Sequence, residues 1–380
     1  MGNQAEHWGV AVIGAGIAGA SVAAELAAAG QRVVVLEQEA QPGYHTTGRS
    51  AALYTTAYGP AVIRALTRAS GPAFRAAPDA ARPHPLLRQR GAVFLARQDQ
   101  LAALAGLAGE LGDAVRPLSP AEAVARLPLL RPGYLAGALL DEGAADIDVD
   151  ALHRTCLRRL VALGGAVRCG AAVSAIARDG AGWRLIAGGA ELRADLVVNA
   201  AGAWADDMAR LAGVAPVGLE PRRRTAVLVA PPAGLQPDAW PMAVDVDETF
   251  YIKPDAGKLL LSPADETPSP PCDAQPDDLD VAIAIDRVQA AFDLPVRRVV
   301  HAWAGLRSFV PDRCPVAGHA PDAGGFVWLA GQGGYGIQSA PALARVAAAL
   351  ALGRALPQDC QDEGVVAAAL SPARLQRRAA

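Results

Sequence analysis

The chain has 380 residues, 52% of them hydrophobic, and a formal net charge of -3, a length that supports two domains or one elaborated α/β domain with ample core. Lysine and arginine are scattered, with one basic run at 222–224, so the composition excludes a nucleic-acid-binding surface. Five cysteines without CxxC or metal-ligand spacing offer no disulfide framework and no metal site, and the chain shows neither a signal peptide nor a transmembrane run, so a cytoplasmic location is expected.

The opening segment "WGVAVIGAGIAGASVAAELAAAGQRVVVLEQE" predicts a strand, a glycine turn, a helix and a second strand. Gly14, Gly16 and Gly19 fit GxGxxG. The first permits a tight turn, the second lets a pyrophosphate approach backbone N–H groups, and the third lets helix and strand pack closely. Gly30 ends the helix where a C-cap belongs. Glu37 closes the second strand, where a carboxylate accepts hydrogen bonds from ribose hydroxyls and disfavours a 2'-phosphate. The motif predicts a dinucleotide site without separating NAD from FAD.

Next comes "GYHTTGRSAALYTTAYG" (43–59), small residues and hydroxyls whose one formal charge is Arg49. A helix over 60–77, the strand "GAVFLA" and an Ala/Leu helix from about Gln98 follow. In "SPAEAVARLPLL", Ser119 and Glu122 have capping-box spacing. A further helix is expected over "DIDVDALHRTCLRRLVALGG", with Asp146 and Asp148 as helix-start groups rather than catalytic acids. Strands follow at "AVRC", "AVSAIAR", "WRLIA" and "DLVVNAAGAW", the last ending in small residues at the usual ligand edge.

From about Arg222 to Arg307 the chain becomes β-rich, interrupted by "PADETPSPPCDAQPDD", expected as a surface insertion, and by a helix from about Leu279. Near the end, "GQGGYG" (331–336) follows the strand "FVWLA" and precedes a helix, with no second strand ending in an acid beyond it. It is a plain strand-to-helix turn, or its free N–H groups face an anionic or electron-rich part of the same cofactor.

Eight stretches together carry a resemblance over nearly the whole chain: "GAGIAGAS", "LEQEAQPGYHTTGRSAALYTTAYG", "GAADIDVDALH", "VNAAGAW", "RRRTAVLVAPP", "WPMAVDVDETFYIKPDAG", "HAWAGLRSF" and "AGQGGYGIQ". The chain resembles the FAD-dependent D-amino acid oxidase and glycine oxidase superfamily, and within it D-arginine dehydrogenase and related D-amino acid dehydrogenases. The resemblance implies an α/β fold. A Rossmann-type FAD-binding domain would be drawn from 1–83, 141–220 and 305–380. A second α+β substrate domain, on a mixed or antiparallel sheet, would come from 84–140 and 221–304.

It also implies FAD held by Gly14, Gly16, Ile17, Ala18 and Gly19, with Glu37 and Gln38 toward the ribose and Val173 toward adenine. Thr46, Thr47, Gly48, Ser50, Ala51 and Ala52 would pass the pyrophosphate and flavin ring. Ala201, Gly202 and Trp204 would lie close to the nucleotide, and Gly333, Gly334, Tyr335, Gly336, Ile337 and Gln338 would meet the flavin. Relatives that tether flavin covalently use a cysteine at a position matching the neighbourhood of Gly305, so noncovalent FAD is expected.

The implied reaction moves a hydride from Cα of a D-amino acid to flavin N5, with oxygen or a quinone-like compound as the final acceptor. Arg224 and Arg307 would clamp the substrate carboxylate, Tyr251 would add a hydroxyl, and Gly334 and Gln338 would hold the amine. Tyr58, with Tyr54 and Thr55, would form a mobile cover. Leu53 and Ala92 stand where D-arginine dehydrogenase has a histidine and a carboxylate, so neutral or apolar side chains are favoured, unless Asp245 restores a charge. A secondary-amine oxidase and a non-catalytic flavin-binding protein are the alternatives, and an NAD enzyme is disfavoured by the incomplete second motif.

Overall fold

The structure is a computed structural model that describes residues 6–79 and 82–376. The opening unit forms as expected: strand Glu6–Ile13, helix Ile17–Ala28 and parallel strand Val33–Leu36. The strands are nearly all apolar because helices and a second layer cover both faces of the sheet. Gly14 has φ +97, and a Cβ on Gly19 would lie 1.9 Å from the Gly14 carbonyl oxygen, so turn and helix meet backbone to backbone.

This sheet has eight strands. Its parallel core runs Ala166–Arg168, Val33–Leu36, Glu6–Ile13, Ala190–Asn199, Ala323–Ala330. Strand Ala190–Asn199 is long enough to serve two neighbours on one side. Its first half pairs with Gly182–Ala187 and its last residues with Ala323–Ala330. Helices Ile17–Ala28, Ala61–Arg75, Val149–Ala162 and Gly336–Ala351 bury one face around Val12, Val22, Leu66 and Val346, and Trp183, Phe326 and Trp328 fill the other.

The second sheet has nine strands and is mixed. Glu220–Val229 and Val299–Phe309 pair antiparallel along their length, and the parallel junction is Met242–Asp245 with Ala92–Ala96. Helix Asp278–Ala291 backs it through Ala284, Val288 and Ala291. Sheet membership shifts the expected division of the chain. Val299–Phe309 lies wholly in the second sheet, past the return at residue 305, whereas Gly137–Asp141, which closes the expected 84–140 segment, pairs there as expected but for its last residue. A three-stranded sheet of Leu53–Tyr54, Ala145–Ile147 and Leu87–Gln89 joins the two layers.

Of four local expectations, two hold and two do not. Ser119 forms its capping box with Glu122, and Asp148 caps helix Val149–Ala162 by accepting from the Ala151 amide at 2.9 Å. Asp146 instead lies in strand Ala145–Ile147, paired with Arg90 and with Lys253 at 2.7 Å, because an acid there neutralises two buried cations. The expected surface insertion after Ser262 is built into the protein: Asp265 accepts from the Thr225 amide at 2.7 Å, and Ala274 is buried against Ala304 and Leu306. No helix among the described residues is long and apolar enough to cross a membrane.

Candidate active site

The carboxyl ends of the parallel strands open into a cavity that runs from Glu37 to the inner face of the second sheet at Arg224 and Tyr251. Ligands bind at this edge of such sheets because loops and helix N-termini converge there. Gly14, Gly16, Ile17 and Ala18 line its first end with Glu37, Gln38, Val173, Ala201, Gly202 and Trp204. Gly19 does not line it: its role is the contact with Gly14.

The glycine turn is fixed by groups from three elements. Glu37 Oε2 accepts from the Ala15 amide at 2.7 Å and Oε1 from the Glu39 amide at 3.0 Å. On the other side of the same residue, His153 Nε2 lies 2.8 Å from the Ala15 carbonyl oxygen. Burial holds the His153 imidazole below its usual value, so it is neutral and donates from Nε2. Thr47 Oγ1 accepts from the Ile17 amide at 2.9 Å. His153, in the predicted helix but given no role from sequence, arrives from helix Val149–Ala162.

Thr46, Thr47, Ser50, Ala51 and Ala52 line the middle of the cavity. The Thr46 hydroxyl donates to the Leu306 carbonyl at 2.8 Å, tying this segment to the second sheet. Gly48 lies off the cavity, in a turn closed by its amide to the Gly43 carbonyl at 2.8 Å. Arg49 pairs with Asp273 and donates to the carbonyls of Ala274 and Ala304 at 2.8 and 3.0 Å. Its role is to hold the insertion down.

Across from this segment, Gly333, Gly334, Gly336, Ile337 and Gln338 line the cavity. A Cβ on Gly334 would come within 2.7 Å of the Arg307 guanidinium, so only glycine lets the turn lie against that charge. Tyr335 faces away, packed with Ile63, Phe309 and Tyr58. The buried Nε2 atoms of Gln332 and Gln338 have no hydrogen-bond partner among the described residues. A buried amide left unpaired costs about 1–3 kcal/mol, so two at one cavity call for a polar group between them. A flavin ring edge, rich in carbonyl and nitrogen acceptors, is such a group. None of the five cysteines lines the cavity, and Gly305, where the resemblance places a tethering cysteine, does.

Arg224, Arg307, Tyr251, Tyr58, Leu53 and Ala92 converge at the far end. In the antiparallel pair, Arg307 lies opposite Arg222, and Arg224 opposite Gly305, so these positions share a face. Arg223 points the other way to Asp280 on helix Asp278–Ala291 at 2.7 Å. Arg224 donates from Nε to the Asp265 carbonyl at 2.8 Å and lies 3.4 Å from Glu266 Oε1. Burial and the neighbouring Arg307 charge push Arg224 below the usual guanidinium value. Arg307 has no carboxylate partner among the described residues. Burial opposes its charge, but Tyr58, Tyr251 and Tyr335 outweigh that and hold it above the usual value.

Two expectations at this end are corrected. Asp245 is fully buried and does not line the cavity: its carboxylate accepts from Gln100 Nε2 at 3.0 Å and the Thr249 hydroxyl at 2.7 Å. Three residues on, Glu248 does line it, at φ +55, and accepts from the Tyr58 hydroxyl at 2.9 Å. The expected mobile cover is also narrower. Tyr54 is buried against Phe74 and does not line the cavity, whereas Thr55 lines it with its hydroxyl committed to Asp141 at 2.5 Å, and Tyr58 lines it beside Glu248.

A glycine turn closed by an acid, two unpaired amides midway and an arginine without a carboxylate partner at the far end, all along one cavity, fit an FAD-dependent oxidoreductase. The family model described as FAD dependent oxidoreductase, DAO, matches residues 9–350, and the chain belongs to that family. It is 26% identical over 377 residues to the uncharacterized oxidoreductase YurR of Bacillus subtilis, covering 90% of this chain and 94% of that one. Against the 4-methylaminobutanoate oxidase of Paenarthrobacter nicotinovorans the identity is 28%, over 69% of this chain and 33% of the relative's length. The crystal structure of glycine oxidase from Geobacillus kaustophilus superposes with a TM-score of 0.79 at 24% identity, covering 92% of this chain and 96% of that one. The chain is thus an FAD-dependent amine or amino acid oxidoreductase.

Proposed function

We propose that the chain oxidises D-amino acids at the Cα–N bond and prefers neutral, mainly apolar side chains. The observation that carries this reading is Arg307, a guanidinium facing the cavity with tyrosine hydroxyls around it and no carboxylate partner among the described residues. Leaving such a charge unpaired costs several kcal/mol, so the site is prepared for an anion. An α-carboxylate is the anion whose two oxygens match a guanidinium fork.

Bound FAD supplies the acceptor for the Cα hydride. The protein's part is placement. Arg307 and Tyr251 hold the carboxylate, the Gly334 turn with Gln338 holds the amine, and Tyr58 restricts water at the mouth. The amine gives up its proton as the Cα–H bond breaks, and the released imino acid is hydrolysed to a 2-oxo acid and ammonia.

Leu53, Ala92, Phe94, Met242 and Val244 make the side-chain wall apolar, and Asp245, the acid expected to restore a charge there, is turned away. Glu248 at the mouth is engaged by Tyr58. A second reading, oxidation of secondary amines, is favoured by the similarity to the 4-methylaminobutanoate oxidase.

One experiment tests both. The yellow protein is mixed anaerobically with D- and L-amino acids, N-methyl amino acids and D-proline, flavin bleaching is followed, and air is then admitted. D-leucine, D-methionine and D-phenylalanine should bleach fastest, with fast reoxidation marking an oxidase. D-arginine or D-lysine far ahead of them would overturn the side-chain assignment, N-methyl substrates ahead would favour the second reading, and no bleaching by any would indicate a non-catalytic flavoprotein.

A further inference from the structure

Outside the cavity, on the far side of Arg224, lies an open recess lined by Arg224, Glu266, Arg313, Asp247 and Glu248. Glu266 is absent from the cavity wall itself and reaches Arg224 only from this recess. It is a hub. Arg313 binds it through both terminal nitrogens, at 2.7 and 3.0 Å, Arg222 at 3.3 Å and Arg224 at 3.4 Å. Arg222 has a second acid, Glu220, at 2.7 Å. Glu266 is the one carboxylate paired with Arg224 among the described residues.

Charge balance gives this arrangement a consequence. The cavity end holds two guanidiniums, Arg224 and Arg307, and buried like charges need counter-charges. Glu266, shared with Arg313 and Arg222, is the carboxylate that meets Arg224, and a single substrate carboxylate meets Arg307. A ligand with a second carboxylate then brings a surplus negative charge to a region where Glu266, Asp247 and Glu248 already stand.

We infer that Glu266 is a positioning residue that sets the charge class of the substrate: by engaging Arg224 from outside the cavity it leaves one guanidinium for one carboxylate, and so selects monocarboxylate amino acids against dicarboxylate ones. This rests on the reading of the site as an amino acid oxidoreductase. Glu266 lies in the segment expected from sequence to be a surface insertion, and its role follows from the docking of that segment on strand Glu220–Val229.

The test uses the holoenzyme and two ligands that cannot be oxidised, 4-methylpentanoate and glutarate, whose binding is read from the flavin absorption spectrum. Wild type should prefer 4-methylpentanoate. Glu266→Gln removes the charge and keeps the shape, and should shift the ratio of the two dissociation constants about tenfold toward glutarate. Glu266→Asp, which keeps the charge, should retain the wild-type preference. Arg313→Gln removes the main competitor for Glu266 and should move the ratio the opposite way, so the inference stays testable if Glu266→Gln loses its flavin. With the substrates themselves, KM for D-glutamate relative to D-leucine should fall in Glu266→Gln while kcat for D-leucine changes little. If wild type binds 4-methylpentanoate but the ratio is the same in every variant, the inference fails and the site reading stands. If wild type binds neither ligand and no amino acid bleaches the flavin, the site reading itself fails.

Discussion

The Tyr58 hydroxyl donates to Glu248 Oε2 at 2.9 Å, tying the segment after the dinucleotide unit to the tip of the hairpin between strands Met242–Asp245 and Tyr251–Asp255. Burial pushes the Tyr58 hydroxyl up, so it stays a donor throughout the assay range. Tyr58→Phe removes the bond and keeps the ring. Loss of one hydrogen bond to a charged group is worth about 1.5–3 kcal/mol, part of which water restores at this exposed carboxylate. KM should rise about 3- to 10-fold with a smaller change in kcat. Steady-state kinetics checks this, and an unchanged KM would show that the link does not bear on substrate retention.

The Ala15 peptide is held from both sides, by Glu37 at the amide and by His153 at the carbonyl. Glu37→Ala removes the acceptor that fixes the Ala15 and Glu39 amides and should weaken FAD binding at least tenfold, with His153→Leu weakening it less. Release of flavin fluorescence on dilution measures both.

If the side-chain pocket is assigned correctly, Leu53→His combined with Ala92→Glu should move preference toward D-arginine and D-lysine. A buried charge-assisted bond is worth about 1.5–3 kcal/mol, or roughly 10- to 100-fold in kcat/KM. Asp245→Asn should leave the preference unchanged and lower the melting temperature, since Asp245 serves Gln100 and Thr249 rather than the cavity. A changed preference in Asp245→Asn would return that acid to the substrate site.

Burial raises the Asp141 carboxyl above its usual value. A group raised on folding contributes stability that is complete below its unfolded value and is lost as pH rises through the folded one. Relative to Asp141→Asn, wild type should therefore be most stable below about pH 4 and lose ground as pH rises from there. Thermal melts of both proteins across that window check the sign.

Cys156 is half-buried by its helix and its thiol is pushed up to about 12 by burial, whereas Cys169 is exposed. Thiol-specific reagents near neutral pH should modify Cys169 first and reach Cys156 and the buried Cys360 only on unfolding. Mass spectrometry of partly labelled protein shows the order.

Much of the nucleotide half was legible from sequence because its signals are local. A glycine turn between an apolar strand and a helix, and an acid closing the next strand, interact across one βαβ unit. Gly14, Gly16, Glu37 and the 331–336 turn accordingly lie where the spacing put them. The departures lie where partners are far apart in the chain. Tyr335 belongs to the glycine-rich turn, yet a pocket formed by Ile63 and Phe309 draws its ring away. Asp245 and Glu248 are indistinguishable acids in "AVDVDETF" until Gln100 claims the first and Tyr58 the second.

The sequence by itself determined the βαβ unit and its dinucleotide-type turn, since these follow from local periodicity, while FAD and the pair Arg224 and Arg307 came from the resemblance carried by the eight stretches. Tertiary structure alone decided how those arginines differ. Strand pairing sets Arg224 and Arg307 on one face, and the docked segment carrying Glu266 gives a carboxylate to the first and none to the second. Whether a buried charge is satisfied depends on partners that approach through space, and sequence order does not record that approach.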